Sequence, residues 1–294
     1  MSIVDPSSST STPEGVLEGI EALPELRATQ IGVVNYINTL PLITGLENLQ
    51  GVSLVPEVPS RQIDMILSGE VDFALCSVID IVHAEQPMSV VPVGMLGCAG
   101  PTLTVRLFSS IPFKDVRRVH CDSDSHTSVA LLKVLFRELH EQDIEIVPFD
   151  ASISPALEND DAVLLIGDKV VSHALPQALT THEMDLGEAW FEMTSLPFVF
   201  ATWLCRRDLA EDDRRRIVGA ARILDRTRRR NVDRLHAIAA GRHQEFGWPD
   251  ASLARRYLDD LLRFELDEDA IRGMTLFLKL AARHTEPVSF IDWS

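Results

Sequence analysis

Three polar loops hold the side chains best suited to small-molecule chemistry. Asn35-Tyr36-Ile37-Asn38-Thr39 offers amides and hydroxyls just ahead of Pro41. Gly97-Cys98-Ala99-Gly100-Pro101-Thr102-Leu103-Thr104 combines glycines, which let backbone approach a ligand closely, with the hydroxyl of Thr104. Asp122-Ser123-Asp124-Ser125-His126-Thr127-Ser128 stands before an amphipathic helix, where free backbone N–H groups and the hydroxyls of Ser125, Thr127 and Ser128 can receive an anion. His126 adds a cation or a proton carrier to that turn, or is a polar surface residue. The same patterns also serve as ordinary helix caps and Asx-turns, and local spacing does not separate the two readings. Asp122 and Asp124 partly offset the helix dipole at the third loop. Cys76 and Ser77 end an apolar run and can face the same cleft, although Cys76 also reads as a small buried hydrophobe.

Other chemistries are disfavoured. Cys76, Cys98, Cys121 and Cys205 lie far apart with no C-x-x-C pair, and the nine histidines lack H-x-x-x-H or H-E-x-x-H spacing. No metal site and no disulfide framework is therefore expected. Gly94, Gly97 and Gly100 imitate a dinucleotide fingerprint, but no amphipathic helix opens after them. G-x-S-x-G and P-loop motifs are absent. A net charge of −17 opposes a nucleic-acid or anionic-membrane partner, and the run Arg226-Thr227-Arg228-Arg229-Arg230 sits among acids as a solvated helix face. The same charge obliges any pocket for a carboxylate to supply local positive potential. The start MSIVDPSSSTSTPEG has neither a basic leader nor an apolar core of signal-peptide length, and no stretch reads as a bilayer span, so a cytoplasmic protein is expected.

The elements that must position these loops alternate. Ile31 to Val34, Val52 to Val55 and Val71 to Leu75 read as strands, separated by a helix from Pro41 toward Leu49 and another capped by Ser60 and stopped at Gly69. Leu103 to Phe108, Arg118 to Cys121, Ala162 to Ile166 and Pro197 to Trp203 continue the strands. Ser128 to Leu139 forms a helix with Val129, Leu132, Leu135, Phe136 and Leu139 inward. Beyond Glu211 the chain is helical to near Ala282, broken at Gly241 to Pro249. The expected fold class is α/β, with mostly parallel sheets. Two candidate crossing strands divide it into a tail over 1–29, a first lobe over 30–105 and 202–294, and an inserted second lobe over 106–201. Ligands then collect between the lobes, where loops meet helix N-termini.

Taken in order, these segments resemble the chorismate dehydratase family. The similarity lies in Ile31-Gly32-Val33-Val34-Asn35-Tyr36-Ile37-Asn38-Thr39-Leu40-Pro41-Leu42, Gly100-Pro101-Thr102-Leu103-Thr104-Val105, Thr127-Ser128-Val129-Ala130-Leu131-Leu132, Leu165-Ile166-Gly167-Asp168 and Asp185-Leu186-Gly187-Glu188-Ala189-Trp190, continuing through Thr194, Leu196 to Ala201 and Trp203. The resemblance implies a two-lobed fold like type II periplasmic binding proteins. It also implies removal of water from chorismate to give 3-[(1-carboxyvinyl)oxy]benzoate, in the futalosine route to menaquinone, without metal or organic cofactor. By the family pattern Asn38 and Thr104 are the catalytic positions. Ser77, Gly100, Pro101, Ser125, His126, Thr127, Ser128 and Asp168 are the expected substrate-binding residues, with a carboxylate held at the Thr127-Ser128 turn. Two positions depart from the pattern: Thr104 where Ser is usual, and His126 where Arg is common, which removes a permanent cation. The other functional class consistent with such a fold is a non-catalytic binding protein for a small carboxylate.

Overall fold

The computed structural model describes residues 27–122, 125–149, 161–172 and 181–293. Most of the expected N-terminal tail, and Ser123 and Asp124 of the third loop, lie outside the described residues. The chain runs β1 (Thr29–Val33), α1 (Leu40–Ile43), β2 (Val52–Pro56), α2 (Gln62–Ser68), β3 (Phe73–Ser77), α3 (Asp80–His83) and β4 (Met88–Cys98). It continues through β5 (Val105–Ser109), β6 (Arg118–Asp122), α4 (His126–His140), β7 (Glu145–Phe149), β8 (Asp161–Ile166), α5 (Lys169–Ser172), β9 (His182–Asp185) and α6 (Leu186–Thr194). Last come β10 (Phe198–Arg206), α7 (Glu211–Val232), α8 (Leu235–Arg242), α9 (Ala251–Arg256), a π-helical turn over Tyr257–Leu261, β11 (Leu262–Arg263) and α10 (Glu268–Ala282).

Two sheets result, one per lobe: β11-β4-β10-β3-β1-β2 and β7-β6-β8-β5-β9. Both are mixed, which corrects the expectation of mostly parallel sheets. β1 runs parallel to β2 and β3, but β10 runs antiparallel to β3 and β4. In the second sheet β6 is parallel to β7 and β8, whereas β5 is antiparallel to β8 and β9. The antiparallel members flank the two crossings: a strand that enters a sheet from the other lobe arrives against the direction of the strands built there. β10 belongs wholly to the first sheet, although the sequence reading divides this stretch at residue 202.

Two large apolar clusters form, one on the first sheet and one that joins the second sheet to β4 and β10 of the first. In the first, Trp203 of β10 meets Phe73 of β3 edge to face at 5.8 Å. In the second, Trp190 of α6 and Phe198 pack on Phe277 of α10, with ring centroids 6.1 and 4.9 Å apart. The Ala270, Met274, Phe277 and Leu278 side chains of α10 are buried between β10 of the first sheet and α4 and α6 of the second lobe. Gly273 permits that approach, since a Cβ there would stand 2.0 Å from the Pro197 carbonyl oxygen. α10 thus straps the lobes together, and truncating Phe277 to alanine would remove about 3–5 kcal/mol.

Several local expectations change. The helix expected from Pro41 toward Leu49 stops at Ile43, because Gly45 turns the chain at φ 101°. Ser60 does not cap α2; it lies in the preceding tight turn over Pro59–Arg61, while Gly69 ends α2 in the left-handed conformation as expected. Leu139 of α4 is exposed in its last turn, and Leu131 and Val134 are buried in its place beside Leu132, Leu135 and Phe136.

Candidate active site

The segment joining β4 to β5 is fixed by a single carboxylate. Asp185, at the end of β9, caps α6 by accepting from the N–H groups of Gly187 (3.0 Å) and Glu188 (3.2 Å). The same side chain accepts from the N–H of Thr102 (2.9 Å) and of Leu103 (2.7 Å), which holds Leu103 at a left-handed φ of 67°. A non-glycine residue there is strained and persists only when its surroundings dictate it. Thr102 Oγ1 in turn accepts from the N–H of Thr104 and of Val105. Gly187 closes the arrangement, because a Cβ would meet Thr102 Cγ2 at 2.3 Å. The result is a rigid crossing that aims the hydroxyl of Thr104.

Thr104 Oγ1 lies 2.8 Å from the hydroxyl of Tyr257, to which Asn38 Nδ2 also donates at 3.0 Å. Asn38 sits in the tight turn Ile37–Thr39 after β1, and Asp168, just past β8, anchors this turn from the second lobe by accepting from Ile37 N–H at 3.1 Å. The other Asp168 oxygen accepts from Trp248 Nε1 at 2.8 Å, and the Trp248 ring stacks on Tyr257 at 4.8 Å. Burial raises the Asp168 carboxyl to about 6, against the lowering effect of those two donors.

Across the cleft, Ser125 is the N-cap of α4: its Oγ accepts from Ser128 N–H and lies 3.0 Å from Ser128 Oγ. The cap positions both hydroxyls at the positive end of a 15-residue helix. Asn38, Thr104, Ser125 and Ser128 therefore line one small cavity of about 70 Å³, with Tyr36 and Tyr257. No lysine, arginine or carboxylate is among the described residues lining it.

The remaining candidates stand apart from that cavity. Thr127 is buried, and its hydroxyl accepts from Ile79 N–H at 3.3 Å, joining α4 to the first lobe. His126 points away, its Nδ1 2.8 Å from Asp80 Oδ1, into a groove of about 870 Å³ between α2, α3 and α4; Ser125 borders both spaces. Ser77 is buried at the end of β3, paired with Ala201. Gly100 supplies a φ of 128° to the crossing, and Pro101 is exposed; neither lines the cavity. Asp168 acts as the interlobe anchor described above. The four cysteines are buried, and burial raises their thiols, Cys121 and Cys205 to about 12, so none is a thiolate nucleophile. Among the described residues no three His, Cys, Asp or Glu side chains are grouped to hold a metal ion, and no helix is long and apolar enough to cross a membrane.

Sequence reasoning missed Tyr257, Trp248 and Asp185 as parts of the site. Asp185 carries a legible signal, an aspartate followed by Gly187 and Glu188 at a helix start. Tyr257 carries none: it lies at the end of a charge-rich helical stretch, and its place in the cleft rests on tertiary contacts with Trp248, Asn38 and Thr104.

Comparison with known proteins agrees with this layout. A family model described as menaquinone biosynthesis matches residues 29–283. The chorismate dehydratase of Thermus thermophilus is 30% identical over 274 residues, covering 86% of this chain and 94% of that protein. Among solved structures, an Archaeoglobus fulgidus protein is similar with a TM-score of 0.62 at 16% identity, covering 86% of this chain and 96% of its own. The periplasmic aliphatic sulphonate binding protein SsuA of Escherichia coli gives 0.59 at 17% identity, covering 86% and 91%. These two likenesses establish the two-lobed periplasmic-binding-protein fold.

Proposed function

The chain belongs to the menaquinone-biosynthesis family, with the chorismate dehydratase of Thermus thermophilus among its relatives, and on that premise we propose that it removes water from chorismate to give 3-[(1-carboxyvinyl)oxy]benzoate. The observation that carries the assignment of the site is the meeting of Asn38, Thr104 and the N-terminus of α4 around one cleft lined by neutral groups.

The reaction needs little beyond positioning. The proton on the ring carbon that carries the ether oxygen leaves, hydroxide departs from the neighbouring carbon, the two combine as water, and the ring becomes aromatic. Ser125, Ser128 and the first N–H groups of α4 hold one substrate carboxylate, with the helix dipole supplying the local positive potential that a chain of net charge −17 otherwise lacks. Asn38 orients the ring, and the Thr104 hydroxyl donates to the departing oxygen. With no lysine, histidine or carboxylate side chain among the described residues lining the cavity, the proton acceptor is the substrate's second carboxylate, held against the ring by the closed lobes. A cavity of about 70 Å³ is too small for chorismate, so the lobes part to admit it and close on it.

Incubating the purified protein with chorismate and following the product by mass spectrometry tests this reading. Loss of one water per chorismate, catalytically and without added metal, is the expected result. Saturable binding with the substrate recovered unchanged would identify a binding protein of the same fold instead.

A further inference from the structure

We infer that Tyr257 is a positioning residue for this reaction, orienting the hydroxyl of Thr104 and the amide of Asn38 through one hydrogen-bonded chain. The inference rests on the assignment of chorismate dehydration to this cleft. Three observations carry it. First, the Tyr257 hydroxyl is the common partner of both side chains, at 3.0 Å from Asn38 Nδ2 and 2.8 Å from Thr104 Oγ1. These two come from different segments, the turn after β1 and the crossing into β5, and they touch no other shared group among the bonds described. Second, the ring is rigid: it is 1% exposed and stacks on Trp248, which is itself pinned to Asp168. Third, the ring stands where α9 gives way to the π-helical turn Tyr257–Leu261, a rare element that occurs frequently at functional sites.

The chain has a direction. Asn38 donates an N–H to the phenol oxygen, and among the bonds described Thr104 Oγ1 is the one acceptor for the buried phenol O–H, so the phenol donates to Thr104. The Thr104 proton is then directed outward, into the cavity and toward the oxygen that departs. Burial keeps the phenol neutral, so Tyr257 acts as a donor of fixed geometry and not as a base. Without its hydroxyl the Thr104 rotor can turn toward other acceptors, and the Asn38 amide loses a partner, while the substrate-binding turn at Ser125 and Ser128 is untouched.

Y257F keeps the stacked ring and removes only the hydroxyl. The inference predicts a kcat lower by about tenfold or more, with KM for chorismate within about threefold of wild type. It also predicts that the threonine hydroxyl loses its value: T104S outperforms T104V strongly beside Tyr257, and the two converge in the Y257F background, a coupling that loss of packing alone would not produce. A Y257F kcat within twofold of wild type overturns the inference, and so does a T104S-to-T104V ratio unchanged by Y257F. If Y257F does not fold, site-specific 3-fluorotyrosine at position 257, which preserves the ring and strengthens the donor, must shift kcat by at least twofold; an unchanged kcat overturns the inference. Wild-type protein assayed alongside separates the two questions, since failure of wild type to dehydrate chorismate would count against the function and not against Tyr257.

Discussion

Removing the Asp185 carboxylate should loosen the crossing that carries Thr104 and destabilise the whole chain. Asp185 accepts from four backbone N–H groups, those of Thr102, Leu103, Gly187 and Glu188. In Asp185→Ala the two helix donors lose a cap, a loss of about 1 kcal/mol. The two donors of the crossing lie in a mostly buried segment, and leaving each without a partner costs about 1–3 kcal/mol. Allowing water to reach Leu103, the sum is about 3–5 kcal/mol. Asp185→Asn keeps one acceptor oxygen but sets an NH2 group against an N–H, so about 2 kcal/mol is expected. Urea unfolding at neutral pH reads both losses as shifts in midpoint at constant slope. Turnover should fall further than stability alone explains, because Leu103 no longer has a reason to hold its left-handed φ. A loss below about 1 kcal/mol for the alanine variant would refute the reasoning, since water would then replace the carboxylate at the crossing without cost.

The other predictions concern pH. Asp168 has its carboxyl raised by burial from 3.8 to about 6, so the folded chain binds a proton that the unfolded chain has released between those values. Its contribution to stability is full below about pH 4 and is lost as pH rises through 6. The stability of wild type relative to D168N, measured by thermal unfolding, should therefore fall as pH rises from about 4 through 6 and level off once Asp168 is ionised in the folded chain. The hydrogen bond to Asp80 raises His126, while Asp80 is itself raised by burial and partly lowered by His126. This interlobe pair is held below the ordinary histidine value of 6.5 and weakens as pH rises through the raised one. H126R keeps a cation beside Asp80 at every pH, so its Tm advantage over wild type should grow from pH 6 to pH 9, and a constant difference would count against the pairing.

How far the sequence carried the site depends on where each residue lies. Asn38, Thr104, Ser125 and Ser128 stand in loops whose flanking strands and helix have clear periodicity, and these four meet at one cavity. Ser77 and Thr127 have suitable chemistry, but Ser77 is buried at the end of β3, none of whose residues lines the cavity, and Thr127 is one position out of phase with Ser128 on a helix that turns by about 100° per residue. His126 is turned away for the same reason, toward Asp80. The strand Met88–Cys98 is not legible from sequence, because Pro92 and Gly94 interrupt its apolar run and have the pattern of breaks. Gly94 sits at φ 154° where Arg228 and Phe264 crowd it, a constraint imposed by β11 and α7 far along the chain. The placement of Tyr257 and the packing of α10 depend on tertiary contacts in the same way, although the α10 helix itself falls within the stretch expected to be helical to near Ala282.

Single-turnover dehydration with protein in excess over chorismate tests the central claim most directly, because binding is saturated and only chemistry is read. Wild type is predicted to convert the whole pool, and N38A and T104V to do so about a hundredfold more slowly. K133E, which reverses a charge on the larger groove beside His126, should match wild type. Wild-type rates in N38A and T104V, with the loss appearing in K133E, would contradict the account and move the chemistry to that groove.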